Sequence, residues 1–357
     1  MNRLIEYQLR QVLHKIVMTI SIASILFTQS AVIQGEMHTS VPVVVLDHEA
    51  ETFWSLNPYT GESNLLYTHH TQLGQILDFE VDSQRNVIYL LEGGGCCGGM
   101  VAGESQILEI DVDAGTARSV FSSRNVFEID RIPDDNFLLV SHYDTKLESI
   151  SAAARDGLLE RCTLDLRTQI CADKYGISGY DSIGWLRDDQ FIGNVRNSAL
   201  QGASFLVNSA DSSRIELPAY APYWTRIPST DEILTTDGGA GKFTRINVDT
   251  LNTESYMIDG VYDPSVQFYP VSFSPDGASL LFLYGYTYEV AAFPTGEVIA
   301  TLENAYDPQW VDASNLIYSH FEVVGRYPGE LRRYNMSSGD RVRLMEIDRR
   351  IQFVVIE

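Results

Sequence analysis

Beyond residue 40 the chain shows no sustained recurrence of apolar positions every three to four residues, the mark of an amphipathic helix. It carries short β-branched and aromatic runs bounded by Asp, Asn, Gly or Ser, which predict strands joined by tight polar turns. One unit recurs. An extended segment ends in a polar turn, a short apolar strand follows at once, and after a variable loop come a third strand, a second tight turn and a fourth strand. The first turn and its strand line up six times, as DSQRN-VIYLL, PDDN-FLLV, RDDQ-FIGNV, STDE-ILTT, SPDGAS-LLFL and VDASN-LIYS. Measured at Asn86, Asn136, Gln190, Glu232, Ser279 and Asn315, the spacings are 50, 54, 42, 47 and 36 residues, close to the roughly 40–50 residues of a four-stranded propeller blade.

The second turn recurs in step seven times, as NPYTGE, DVDAGT, LDLRTQ, NSADSS, NVDTLN, FPTGE and MSSGD. Seven against six has a structural reading. The opening unit, VPVVVLD with ETFWSLN and NLLYT, lacks its innermost strand, and the chain closes on the lone strand IQFVVIE. The pattern predicts an all-β fold, a single seven-bladed β-propeller whose C-terminal strand completes blade one; six or eight blades stay open as counts. Ring closure removes sheet edges, and a monomer is expected. FSPDGASLLFL, with the weaker DPQWVDASNLIYS, resembles the repeat of TolB-type periplasmic propellers and their WD-repeat-like relatives. The resemblance implies the propeller fold and a habit of binding or scaffolding, and it hands over no catalytic residues.

The first residues, MNRLIEYQLRQVLHK, are basic on balance and lead into the apolar run IVMTISIASILF and the polar TQS. That is the layout of a secretory signal. The run is short for a spanning helix of roughly 20 apolar residues. Residues 1–35 are therefore expected to be a signal peptide, or failing cleavage an N-terminal membrane anchor, and 36–357 the propeller. The protein is then periplasmic, secreted or on the cell surface. With 48 acidic against 25 basic residues the net charge is -23, which disfavours nucleic acid and anionic membranes, both bound through Lys and Arg. Four cysteines in an exported chain suit two disulfides. In LERCTLDLRTQICADK a hairpin turned at Leu166 and Arg167 would set Cys162 opposite Cys171. Cys96 and Cys97 in GGGCCGG then have only each other, as a vicinal disulfide; a reduced copper-binding pair joined by Met100, or inert thiols, are the alternatives.

The residue at the exit of each second strand is polar or titratable: His48, Glu92, His142, Arg196, Asp237, Tyr284 and His320, one per blade. These exits share a propeller face with the connections between blades, so the set predicts a binding-face rim, with plain solvated polarity as the alternative. Neighbouring rim residues should lie on the order of 10 Å apart, so histidines on blades one, three and seven could hardly share one metal. On the innermost strands Asp78, Glu80, Glu128, Asp130 and Asp307 alternate with apolar residues and should face a central channel. Carboxylates crowded there raise one another's pKa unless a cation or water relieves them. Calcium is the hard cation suited to such oxygens, Arg226 an internal neutraliser, and a merely wet channel the alternative; no other cofactor is implied. A third set, Tyr180, Tyr220, Tyr223, Trp224, Tyr262, Tyr269, Tyr306 and Trp310, clusters near innermost-strand entries. It suits stacking on a sugar, peptide or aromatic ligand, or packing between blades. The segment HYDTKLESISAAARDG predicts a short surface helix over that face.

No G-x-S-x-G elbow or phosphate loop occurs, and the glycines of GGGCCGGMVAG precede no helix start, so they are not read as a phosphate or dinucleotide cradle. The sequence reads as an exported recognition module for an unidentified small molecule, peptide, glycan or envelope protein. The rival is an enzyme, lactonase- or lyase-like, with a metal- or acid/base-assisted site at His48, His142 or His320 near Asp47, Glu92 or Asp144.

Overall fold

A computed structural model describes residues 43–94, 103–132, 136–143, 159–198, 201–236, 241–260, 262–263, 265–266, 268–321, 329–346 and 350–356. Its strands form seven four-stranded antiparallel sheets, the blades of a propeller. In blades two to seven the four strands follow in chain order from the axis outward. Their innermost strands are Gln75–Asp82, Val126–Arg131, Ser182–Arg187, Trp224–Arg226, Phe268–Phe273 and Ala305–Asp312. Innermost strands of adjacent blades touch one another, blade two with three, five with six, and seven with one. Blade one is completed as the turn count predicts. Ile351–Val355 pairs antiparallel with Val43–Asp47, with Val43 opposite Val355 and Asp47 opposite Ile351. The N-terminal segment 1–42, Cys96, Cys97, Asp144 with the predicted helix, and Asp237 lie outside the described residues.

The apolar run Val43-Val44-Val45-Leu46 is fully buried because a second strand meets a neighbouring blade on each face. Val44 and Leu46 pack with Phe53, Phe79 and Leu90 toward blade two, while Val43 and Val45 pack with Val311, Ile317 and Leu331 toward blade seven. A strand covered on both faces needs no polar alternation. Turns are set by short polar side chains that bond the backbone ahead of them. In six of the seven second turns an Asn or Asp accepts amide N–H groups two or three residues on: Asn57, Asp111, Asp165, Asn208, Asn247 and Asn335. The SPDG turn between the first two strands of blade six closes with the Ser279 amide donating to the Ser274 hydroxyl at 2.9 Å. Gly277 there takes φ 70°, a conformation that a side chain would strain. Where the ring closes, the Tyr59 hydroxyl donates to Asp312 at 2.8 Å and Arg333 donates to the Pro58 and Tyr59 carbonyls.

The blade-three hairpin departs from its predicted register. Leu164 faces Cys171 and Asp165 faces Ile170, not Cys162 facing Cys171. Asp165 caps the Arg167 and Thr168 amides and Gln169 turns left-handed at φ 60°, so the turn takes four residues where two were expected. The Cys162–Cys171 disulfide forms all the same, between diagonal neighbours whose Cα atoms are 5.5 Å apart.

Candidate functional site

A strand of each blade runs from one propeller face to the other, so innermost-strand entries and second-strand exits meet on one face. Six of the seven predicted rim residues stand at described second-strand exits, in differing surroundings. Glu92 is no rim residue: it is wholly buried. His69 Nε2 lies 2.7 Å from its carboxylate, and the Gln106 side-chain amide and the Gln72 backbone N–H donate to it. His69 comes from the connection between blades one and two. It was missed because its doublet with His70 shares no context with the strand-exit histidines, and only the path of that connection brings it to Glu92. His48 contacts Gln352 at 3.3 Å, and burial, then Arg350, push its pKa down to about 4, so its ring is neutral through the physiological range. Asp47 does not pair with His48; it accepts the Glu49 and Ala50 amides. His142 Nδ1 sits 3.2 Å from the Tyr143 carbonyl and 3.7 Å from Glu160. The Tyr284 hydroxyl accepts the Asp263 amide, an Asp181 carboxylate accepts the Arg196 amide, and the His320 ring lies edge-on to Tyr318. Among the described residues no group of three or more His, Cys, Asp and Glu is placed to hold a metal ion.

The innermost-strand carboxylates do come together. Burial, then Asp130 and Asp78, push Glu80 up to about 8; burial, then Glu128 and Asp78, push Asp130 up to about 7. Asp78 accepts N–H groups from Phe79, Ile129 and the Gln352 side chain, yet burial still lifts it to about 6. These groups span blades two and three, and burial with mutual repulsion brings the pKa values of Asp78, Glu80 and Asp130 toward neutrality. Their counter-charge is not Arg226, which donates to the Leu186 and Thr230 carbonyls. It is Arg161, nearly buried, on the third strand of blade three, with Arg131 beside Glu80. Register explains Arg161. Glu128 and Arg161 both face Ser141, so one row of side chains crosses the blade from the axis outward. Arg161 also donates to the Tyr180 carbonyl at 2.7 Å, anchoring its charge. Asp307 stands apart on blade seven, in a left-handed bulge at φ 49°, its pKa raised by burial and its carboxylate accepting the Gln309 amide at 3.1 Å.

The aromatic set divides. Tyr180 and Trp224 pack between strands against glycines that leave them room, since a Cβ on Gly193 would sit 2.5 Å from the Tyr180 ring and one on Gly184 2.8 Å from Trp224. Tyr220 covers Gly202, Trp310 is buried and Tyr262 packs on Phe268. Three tyrosines at innermost-strand entries remain open instead. Tyr223 is 49 % and Tyr306 60 % exposed, and Tyr223 stacks on the half-buried Tyr269 with ring centroids 4.5 Å apart.

No protein-family model and no curated protein matches the chain. Solved structures do. A functionally unknown protein from Desulfotomaculum acetoxidans has TM-score 0.54 at 14 % identity, over 88 % of this chain and 99 % of that one. The dihydro-heme d1 dehydrogenase NirN has TM-score 0.55 at 12 % identity, over 90 % and 76 %. TolB from Acinetobacter baumannii is matched with TM-score 0.49 at 13 % identity, over 89 % and 66 %. At such identities the likeness is one of fold alone, and the first two carry it: the chain is a seven-bladed β-propeller, with the architecture that its TolB-like repeat implies. Propellers host many unrelated activities, so function has to be argued from the site.

Proposed function

We propose that the protein is an exported recognition module that takes its ligand at the channel mouth, on the face bearing the innermost-strand entries. The observation that carries this is the open tyrosine arc of blades five to seven. Stacked aromatic surface left to water at the mouth of a channel is costly unless something covers it. The Cys162–Cys171 disulfide supports a location outside the reducing cytoplasm. Catalysis has less behind it. A rim enzyme needs a histidine free to exchange protons with substrate, and His48 is neutral, half-buried and turned toward Gln352.

A small-molecule screen read by thermal shift and ligand-observed magnetic resonance tests the reading on the purified protein. Hits should lose affinity on Tyr306→Ala and keep it on His142→Ala. The reverse order would move the site to the histidine rim and favour the enzyme.

A further inference from the structure

Tyr269 and Tyr306 lie in the stretch of chain least supplied with positive charge, and Tyr223, three residues from an Arg226 that is turned to the Leu186 and Thr230 carbonyls, stacks on Tyr269. From Ile246 to Gly325 the sequence holds eleven acidic residues and no lysine or arginine. That stretch includes all of blade six and the two inner strands of blade seven. Arginine and lysine side chains do lie over rings elsewhere, Lys174 on Phe137, Arg214 on Phe205, Arg333 on Tyr59 and Arg341 on Tyr334. Among the described residues none lies over Tyr223, Tyr269 or Tyr306. A carboxylate borders the arc: Asp307 follows Tyr306 directly on strand Ala305–Asp312, which contacts strand Thr287–Ala292 of blade six, and Tyr288 on that strand is pushed up to about 12 by burial, then by the nearby Asp307, Tyr269 and Tyr306. The rings and the carboxylate together make a region of negative potential that is open to solvent.

Charge and shape then select a ligand class. An aromatic face attracts a cation through its quadrupole, and this attraction survives in water best for a bulky, weakly hydrated cation. A hard metal ion would want six or more oxygen ligands, and the arc offers rings and one carboxylate. Phosphates, carboxylates and acidic sugars would be repelled. We propose that Tyr223, Tyr269 and Tyr306, with Asp307, bind the ammonium group of a small organic cation. This rests on the channel mouth being the binding surface and adds what that surface selects.

Choline is the probe, and 3,3-dimethylbutan-1-ol, its uncharged carbon isostere, the control, both titrated by calorimetry at low and moderate salt. The protein should bind choline at least ten-fold more tightly than the isostere. Tyr306→Ala and Tyr223→Ala should each weaken choline by about five-fold, the size expected of a ring–cation contact that is partly open to water. Asp307→Asn should weaken it about three-fold and flatten the salt dependence. Tyr286→Ala removes a tyrosine that is 95 % exposed at a second-strand exit of blade six and should change nothing. Equal affinity for choline and the isostere, or choline binding indifferent to both arc tyrosines, overturns the proposal. If choline fails while a hit from the screen is still lost on Tyr306→Ala, the cation falls and the binding surface stands. If neither responds to Tyr306→Ala, both fall.

Discussion

On blades two and three the channel carboxylates have donors and cations from within the protein close by, although burial and mutual repulsion still raise Asp78, Glu80 and Asp130. Asp78 collects three N–H donors, Arg131 lies beside Glu80, and Arg161 reaches in from the third strand toward Glu128 and Asp130. Across the channel Asp307 has an amide donor, no lysine or arginine occurs from residue 246 to residue 325, and Tyr306 and Tyr223 are exposed. One arc of the channel has spent its polar groups on folding; the other has kept its surface available. A buried group held against internal cations gains little from a ligand, whereas an exposed ring beside a carboxylate does. The contrast can be broken at either end.

Arg161→Met should have the largest effect on stability. It keeps most of the side chain's apolar volume, yet leaves Glu128 and Asp130 without their counter-charge and the Tyr180 carbonyl without its donor. Removing one partner of a buried charged group should cost about 3 kcal/mol at pH 8 in urea unfolding. At pH 5, with Glu80 and Asp130 protonated, the loss should shrink markedly. Tyr306→Ala, by contrast, should stay within about 0.5 kcal/mol of the parent, as surface substitutions do. If the two variants were equally mild, the acidic arc would not be internally balanced.

Acidity itself tests the same arc with a somewhat smaller effect. Glu80 has a folded pKa of about 8 against an ordinary 4.5, so between those values the folded protein holds a proton that the unfolded chain has lost. Stability must then fall as pH rises from about 4.5 through about 8, with Asp78 and Asp130 adding to the fall at its lower end. After discounting for solvent in the channel the Glu80 share should be about 2 kcal/mol. Urea midpoints taken across that range should decline for the parent and be much flatter for Glu80→Gln. A parent profile that rises with pH would mean that these carboxylates are not crowded.

What was legible beforehand follows from what is local. Blade grammar repeats in the chain, and the turns that write it are closed by side chains such as Asn335 and Asp312 on amides two or three residues away, so both were readable. The closing strand was readable too, because an incomplete first unit and a lone final strand require each other. Charge pairing was not. Arg161 meets Glu128 only through Ser141, across three strands whose register depends on a turn that takes four residues where two were expected. His69 reaches Glu92 through an inter-blade connection, which no strand period describes. The aromatic set was found as a set. Its division into packed and open members depended on which strands carry glycine opposite the rings, as at Gly184 and Gly193, and that is a property of neighbouring chain segments in space.

The smallest change expected to move the comparison is Gln352→Ala, on the closing strand between the two arcs. Gln352 donates to Asp78 at 3.1 Å through its amide nitrogen, and its amide oxygen lies 3.3 Å from His48. The first contact lowers the Asp78 pKa and the second raises that of His48. Losing both must therefore raise Asp78 and lower His48, each by less than about one unit, since a single hydrogen bond contributes about 1 kcal/mol. General loosening would give the reverse pair of signs, since it returns both groups toward their ordinary values: Asp78 down toward 3.8 and His48 up toward 6.5. Magnetic resonance titration of the two side chains separates the outcomes by sign alone. Divergence would place Gln352 as the link that carries the balanced arc into blade one, and convergence would make it a packing residue with no electrostatic part.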